Sequence, residues 1–294
     1  MKHSLQQLLF LGCVLLLFLN NCGSITEKAT EPATPTQTKL WETDSVFESP
    51  ESVIYDSFRH VLYVSNIGSW PGHVDNDGFI SKLSTSGEII EHKWVTDLSS
   101  ALGMGIVDSN LYVTNVNEVA QIDIPSGQII KRYTMDSVGF LNDITTDPDG
   151  LVYITDSKDN RIYQIKNEEM SLLYENPNFG SSNGILYSNG NLIVAGFNTG
   201  NLTQLDLASM TTTIIADSLF EGDGVNAFGD DLLVSRWSGM IEYVIPKLSH
   251  EVILDLTKSK NKTADTWYEP SLNTLYIATF LGNSVAAYEV SSTP

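Results

Sequence analysis

Six short stretches of the chain set a polar or small residue pair just ahead of an apolar residue. They are Glu51-Ser-Val, Met104-Gly-Ile, Asn142-Asp-Ile, Asn183-Gly-Ile, Asp223-Gly-Val and Asp265-Thr-Trp. If the six are equivalent, their first residues converge on one axis, bringing three carboxylates and two amides together. Buried carboxylates are costly without a counter-charge or hydrogen-bond donors. A hard divalent cation removes that cost, because calcium takes six to eight oxygens from carboxylates, amide carbonyls and water. Zinc would need His or Cys, and none of the six positions carries either. The same residue types also suit hydrogen-bonded turns, so spacing alone leaves the cation and turn readings both open.

Such positions need a repeating scaffold. The six starts lie 53, 38, 41, 40 and 42 residues apart. Roughly ten residues after each comes a β-rich run: VLYVSN, LYVTN, LVYITD, LIVAG, LLVSRW and LYIATF. Their apolar, β-branched and aromatic character fits strands buried on both faces. Second runs (FISKLS, VAQIDI, RIYQIK, LTQLDL, MIEYVI, VAAYEV) follow, and third runs such as QIIKRYT or EVILDL complete most units. Asp147-Pro-Asp-Gly150, Asn189-Gly190 and Ser86-Gly87 supply turn chemistry between them. Units of about 40 residues with four strands predict an all-β fold, a six-bladed β-propeller with four-stranded blades. The last unit stops at Val290 without room for an outer strand, and Lys39–Val46 could supply it, closing the ring with an N-terminal strand. An open two-sheet sandwich of the same strands is the alternative. The first interval is the longest, and its excess, 66–78, carries Trp70 and His73; it reads as a lid over the channel mouth or as a tolerated surface loop.

Pro50-Glu-Ser-Val, Leu141-Asn-Asp-Ile-Thr-Thr-Asp-Pro-Asp-Gly, Ser182-Asn-Gly-Ile and Gly222-Asp-Gly-Val together resemble, in order and spacing, the signature of the regucalcin/gluconolactonase family. The resemblance covers about residues 40 to 290. It implies a propeller holding one divalent cation, typically calcium, through Glu51, Asn183 and Asp223, with Asn142 near the cation or its water and substrate. It further implies hydrolysis of a sugar lactone or related ester, with Asp223 and Asn142 as catalytic residues and Asp223 as general base. That chemistry needs no nucleophilic Ser or Cys, since a divalent ion polarises the carbonyl and a carboxylate takes the proton of the attacking water. One position departs from the pattern: Phe140 stands where lactone-hydrolysing members commonly place an arginine. The departure turns the expected substrate toward something more apolar, or toward no reaction. Met104, Asp265 and Trp70 are expected to face the substrate or to back the ligands, Asp265 being open as a water-mediated contact, an acid/base group or a turn residue. His60, His73, His92 and His250 fall outside the six starts.

Residues 1–21 combine Lys2 with an apolar run from Leu8 to Leu19 and are expected to be a signal peptide. Cys22 follows Leu19-Asn-Asn, a stretch similar to a bacterial lipobox although Asn21 replaces the usual small residue. Lipidation at Cys22 is expected, with 22–39 as anchor and flexible linker and 40–294 as the propeller; ordinary cleavage with a free Cys22 is the alternative. This implies an exported protein of the bacterial cell envelope, tethered to a membrane by lipid and facing the periplasm or exterior. Cys13 and Cys22 are the only cysteines, which excludes disulfides and Cys-based metal sites from the folded domain. A net charge of -20 argues against nucleic-acid partners. Two function classes remain in contest: a calcium-dependent hydrolase of lactones or small esters, and a non-catalytic propeller binding a ligand or another envelope protein. A metal-free repeat protein of the NHL type is a third.

Overall fold

Each of the six β-rich runs forms the second strand of a four-stranded antiparallel sheet, and the described residues form six such sheets. The computed structural model describes residues 33–69, 71–259 and 261–291. The expected signal peptide, Cys22 and most of the tether lie outside these residues, as does Trp70.

The first strand, β1 (Thr36–Glu42), is set aside until last. Blade one is β2 (Pro50–Asp56), β3 (Val61–Asn66), β4 (Gly78–Ser84) and β5 (Ile89–Leu98), and blade two is β6 (Ala101–Val107), β7 (Asn110–Asn115), β8 (Glu118–Asp123) and β9 (Gln128–Thr134). Blade three is β10 (Leu141–Thr146), β11 (Val152–Asp156), β12 (Arg161–Lys166) and β13 (Glu169–Glu175), and blade four is β14 (Ser182–Ser188), β15 (Asn191–Gly196), β16 (Leu202–Asp206) and β17 (Thr211–Ala216). Blade five is β18 (Gly222–Phe228), β19 (Asp231–Arg236), β20 (Met240–Ile245) and β21 (Ser249–Asp255). Blade six has only β22 (Thr263–Glu269), β23 (Thr274–Thr279) and β24 (Ser284–Ser291) of its own, and β1 completes it by pairing antiparallel with β24. The result is a six-bladed β-propeller closed by an N-terminal strand. β1 starts at Thr36, so the last residues assigned to the linker, Thr36–Lys39, are pleated into the ring.

The core lies between blades. Every residue of β3 is buried, because alternate side chains pack against the blades on either side. Tyr63 and Ile80 of blade one share one cluster with Met104, Leu111 and Val113 of blade two. Tyr63 also stacks on Trp94 at 4.7 Å between ring centroids. The turns carry the expected chemistry: Asp147 accepts from the Asp149 and Leu151 amides, and Asn189 and Gly190 both adopt positive φ (48° and 79°), as a tight hairpin requires. All six outermost strands are interrupted by a register shift against their neighbours. Such bulges twist an edge away from flat pairing and protect it from further strand addition.

Candidate functional site: a two-tiered ring in the channel

Each innermost strand opens in the same way. Pro50 pairs with Asn66 and Val53 with Val64, so Glu51 and Ser52 together face a single partner residue, Ser65. The same one-residue bulge opens β6, β10, β14, β18 and β22. Two tiers of equivalent positions follow. The first holds Glu51, Leu102, Asn142, Asn183, Asp223 and Ala264; the second holds Ser52, Gly103, Asp143, Gly184, Gly224 and Asp265. Spacings along the first tier are 51, 40, 41, 40 and 41 residues.

This register corrects two expectations. Met104 is level with Val53 and Ile144, beyond both tiers, and lines an apolar cavity of about 210 Å³ with Val53, Ile144, Ile185, Val225 and Trp267. Asp265 belongs to the second tier, and blade six contributes Ala264 to the first. Leu102 and Ala264 are apolar and carry no sequence signal that marks them as ring positions. Glu51, Asn142, Asn183 and Asp223 are first-tier neighbours, as the sequence suggested.

The bulges are held by side chains from the adjoining strands. Ser65, Thr155 and Ser235 accept from the second-tier amides of Ser52, Asp143 and Gly224. Thr155 and Ser235 also donate, at 2.7 and 2.8 Å, to the carbonyls of Asn183 and Ala264, the first-tier residues of the next blade. One hydroxyl therefore fixes two blades, and the first-tier backbone is set before any ligand arrives.

The two tiers differ in how their oxygens are satisfied. Asp143 accepts from the Ile144 amide at 2.7 Å and, across the blade boundary, from the Ile185 amide at 2.9 Å. Asp265 accepts from the Thr266 amide and from Ser52 Oγ, both at 2.7 Å. Both carboxylates lie against a glycine of the preceding blade: a Cβ on Gly103 would come within 2.5 Å of Asp143 Oδ1, and one on Gly224 within 2.3 Å of Asp265 Oδ1. In the first tier, by contrast, Glu51 Oε2, Asn142 Oδ1 and Asn183 Oδ1 are buried with no donor. Glu51, Asn183 and Asp223 expose only 7, 6 and 4% of their surface.

Electrostatics follow from this crowding. Burial pushes the Glu51 carboxyl well above the usual range, and Asp223, Asp265 and Asp143 push it further. Burial and then Asp265 raise Asp223. Burial and Asp265 raise Asp143 against the pull of its two amide donors. Burial lifts Asp265 to about 6, with Ser52 and the Thr266 amide holding it back. Four carboxyls thus share a channel with no protein cation among their causes of shift. Among the described residues no three His, Cys, Asp or Glu side chains cluster as a metal site, but the first-tier donor set is mixed, two carboxylates with two amides. Donorless buried oxygens of this kind fit an oxygen-ligated cation such as calcium.

A third level surrounds the mouth. The residue after each second strand receives the chain entering the innermost strand: the Ile67, Ser157, Phe197, Trp237 and Phe280 amides donate to the carbonyls of Ser49, Phe140, Ser181, Glu221 and Lys262, and Val116 O accepts from the Leu141 amide. Five of these six collar residues are apolar, and the aromatics fall on consecutive blades four to six. Trp237 and Phe280 meet edge to face at 6.1 Å, and Lys262 Nζ lies 4.9 Å over the Trp237 ring. Phe140, its amide bound by Asp156, packs against Gly72 of the long loop, where a Cβ would be 3.4 Å from its ring. That loop also reaches blade two, its Gly72 and Asn76 amides donating to Ser100 and Ser99.

The described histidines stay apart from both tiers. His60 and His73 are exposed, His92 sits on β5, and His250 pairs with Glu242 at 3.0 Å. Gly180-Ser-Ser-Asn-Gly184 fits the nucleophile pattern G-x-S-x-G, but Ser182 is fully buried on β14 and donates to Asp156 O at 2.8 Å. The residues that sequence reasoning missed are Ser52 and Asp143, which sit beside recognised positions, and the hydroxyls of Ser65, Thr155, Ser157 and Ser235, each in the second half of a recognised β-rich run or just after it.

Together these features define a six-bladed β-propeller with an oxygen-rich ring at one end of its channel. No known family model and no curated protein matches the chain in sequence. Solved structures do match in fold. A catalytically inactive histidine-to-alanine variant of virginiamycin B lyase from Staphylococcus aureus, with quinupristin, superposes with a TM-score of 0.61 at 14% identity, covering 87% of this chain and 99% of that one. A streptogramin B lyase gives 0.63 at 13% identity over 89% and 100%. A chain of a nidogen/laminin complex gives 0.56 at 17% identity over 69% and 80%.

Proposed function

We propose that the protein is a divalent-cation-dependent hydrolase of a lactone or small ester, exported and held at a bacterial envelope membrane through lipid on Cys22. The observation that carries this reading is the trio of donorless buried oxygens on Glu51, Asn142 and Asn183, level with Asp223. Glu51, Asn183 and Asp223 would hold the ion, calcium by preference. Bound there, a divalent ion supplies carbonyl polarisation and a more acidic water. Asp223 takes the proton of the attacking water on a carboxylate oxygen as the water oxygen bonds to the carbonyl carbon. The ester C–O bond then breaks, and the proton returns from Asp223 to the leaving oxygen, giving acid and alcohol. Asn142 Oδ1 orients the water by accepting a hydrogen bond from its other O–H, which stays on the attacking oxygen. The apolar collar and Phe140 exclude bulk water and favour substrates with an apolar body over polyhydroxylated sugars.

The fold neighbours include lyases, which supports catalysis on such a propeller. The virginiamycin B enzyme is inactive when a histidine is replaced, whereas here the described histidines lie away from the ring, so its chemistry is not carried over. A second reading has one observation in its favour: Phe140 at the position of the family's substrate-binding arginine fits a cation-stabilised, non-catalytic propeller. The test is thermal unfolding in EDTA and in millimolar calcium, followed by a lactone and ester panel. A calcium-dependent rise in Tm with turnover that disappears in Asp223→Asn supports the hydrolase. A rise without turnover supports the binding propeller, and no rise removes both. Release of the chain from membranes by Cys22→Ser tests the anchor.

A further inference from the structure

We infer that Ser157 is a positioning residue that fixes which end of the Asn142 amide faces the ring, and so completes its set of acceptor oxygens; this rests on the cation reading above. Ser157 is the one hydroxyl of the collar, where the other blades place Ile67, Val116, Phe197, Trp237 and Phe280. Its Oγ lies 2.7 Å from the carbonyl oxygen of Ser182 and 3.0 Å from Asn142 Nδ2. A carbonyl only accepts, so the single hydroxyl proton of Ser157 is committed to Ser182. What remains for Asn142 is a lone pair, which only the NH2 end of an amide can meet. The amide is thereby turned with Nδ2 toward the collar and Oδ1 away from it, where Oδ1 is buried without a donor.

The reverse orientation would set Oδ1 against an oxygen with no proton to give and would replace an acceptor in the channel with a donor, repelling a cation. Ser157 also ties blade three to blade four, because Ser182 directly precedes Asn183. Asn183 has no equivalent support: the collar residue of its own blade is Phe197.

The experiment uses the full-length chain with Ser157→Ala, Ser157→Thr, Asn142→Ala and the Ser157→Ala/Asn142→Ala pair. Calcium affinity is measured by calorimetry, and the Asn142 side-chain amide is followed in 15N-edited spectra of the metal-free protein. Ser157→Ala is expected to weaken calcium by about tenfold, the low end of the scale for removing partners that orient ligands, because Asn142 meets the ion through its water. Ser157→Thr should restore binding, and the double variant should bind no more weakly than Asn142→Ala alone. In the spectra one Asn142 amide proton should be protected from exchange in the wild type and in Ser157→Thr, and unprotected in Ser157→Ala. Unchanged calcium affinity in Ser157→Ala, or losses that multiply in the double variant, would overturn the inference. An unprotected amide in the wild type overturns it whatever the calcium result. If the wild type binds no calcium but shows the protected proton, the orientation stands and the cation reading fails.

Discussion

Asp143 and Asp223 occupy neighbouring tiers of one channel, both are buried carboxylates, and their surroundings are opposite. Asp143 is saturated by two backbone amides from two blades, and Asp265, three blades on, repeats the arrangement through Thr266 and Ser52. These two carboxylates join blades. In the first tier, one residue away along each strand, Glu51 Oε2, Asn142 Oδ1 and Asn183 Oδ1 are buried without a donor, and burial with the Asp265 charge raises Asp223 with no donor to pull it back. Acidic composition alone does not distinguish them. What does is whether the fold supplies donors: where it does the carboxylate joins blades, and where it does not the oxygens are left open.

The sharpest way to break that contrast is to fill the second tier. A Cβ on Gly184 would lie 1.7 Å from the carbonyl oxygen of Asp223, a backbone atom that cannot yield. Gly184→Ala is expected to cost more than about 4 kcal/mol and to abolish cooperative unfolding. Next in size is the paired comparison of carboxyl-to-amide changes, followed by thermal unfolding with and without calcium. Asp143→Asn leaves one of two backbone donors facing an NH2 group, which costs about 1–3 kcal/mol, yet it keeps the calcium-induced rise in Tm. Asp223→Asn removes a repelling charge, so the metal-free protein holds its Tm or gains, and the calcium rise, worth about 2.7 kcal/mol at a hundredfold excess over Kd, disappears.

The pH dependence of the metal-free protein should be smaller but of definite sign. Asp265 titrates near 6 when folded against 3.8 as a free side chain, and Glu51, Asp143 and Asp223 are displaced in the same direction. The folded state therefore binds more protons than the unfolded state between these values, and stability falls as pH rises through that window. Tm in EDTA should be lower at pH 7 than at pH 5, with Glu51→Gln flattening the decline; a Tm that climbs over this range in EDTA would contradict the first-tier description. The smallest expected effect is at the collar. Trp237→Ala should raise KM for an aryl or alkyl ester by about three- to tenfold, consistent with losing part of an apolar contact, with little change in Tm.

The six units were legible because their signals are local. A run such as VLYVSN announces a strand buried on both faces, Asp147 to Gly150 announces a turn, and the segment ahead of the first unit supplies β1, which pairs with β24. The register of blades two and six was not, because the ring residue there is apolar, two residues before Met104 in blade two and one before Asp265 in blade six. Counting from the repeated starts therefore settled on Met104 and Asp265. Ser157 was hidden for a different reason: it acts from 15 residues downstream, just past the end of another strand, through the direction of one hydroxyl proton. Pattern reading finds which residues share a ring. Which oxygens of that ring have donors depends on contacts between strands.

The closure of blade six has a consequence for how the chain is made. Glu42 at the end of β1 meets Ser284 at the start of β24, 242 residues later. At ribosomal rates of about 5–20 residues per second, β1 waits about 12–50 s for its partner to be synthesised. A strand left unpaired that long is an invitation to self-association unless its sequence discourages it. The sequence of β1, TQTKLWE, is mostly polar, carries a charge of each sign and has no fully buried residue even in the finished ring. The segment that seals the propeller is thus also its least adhesive strand, so that ring assembly ends with the capture of a soluble segment.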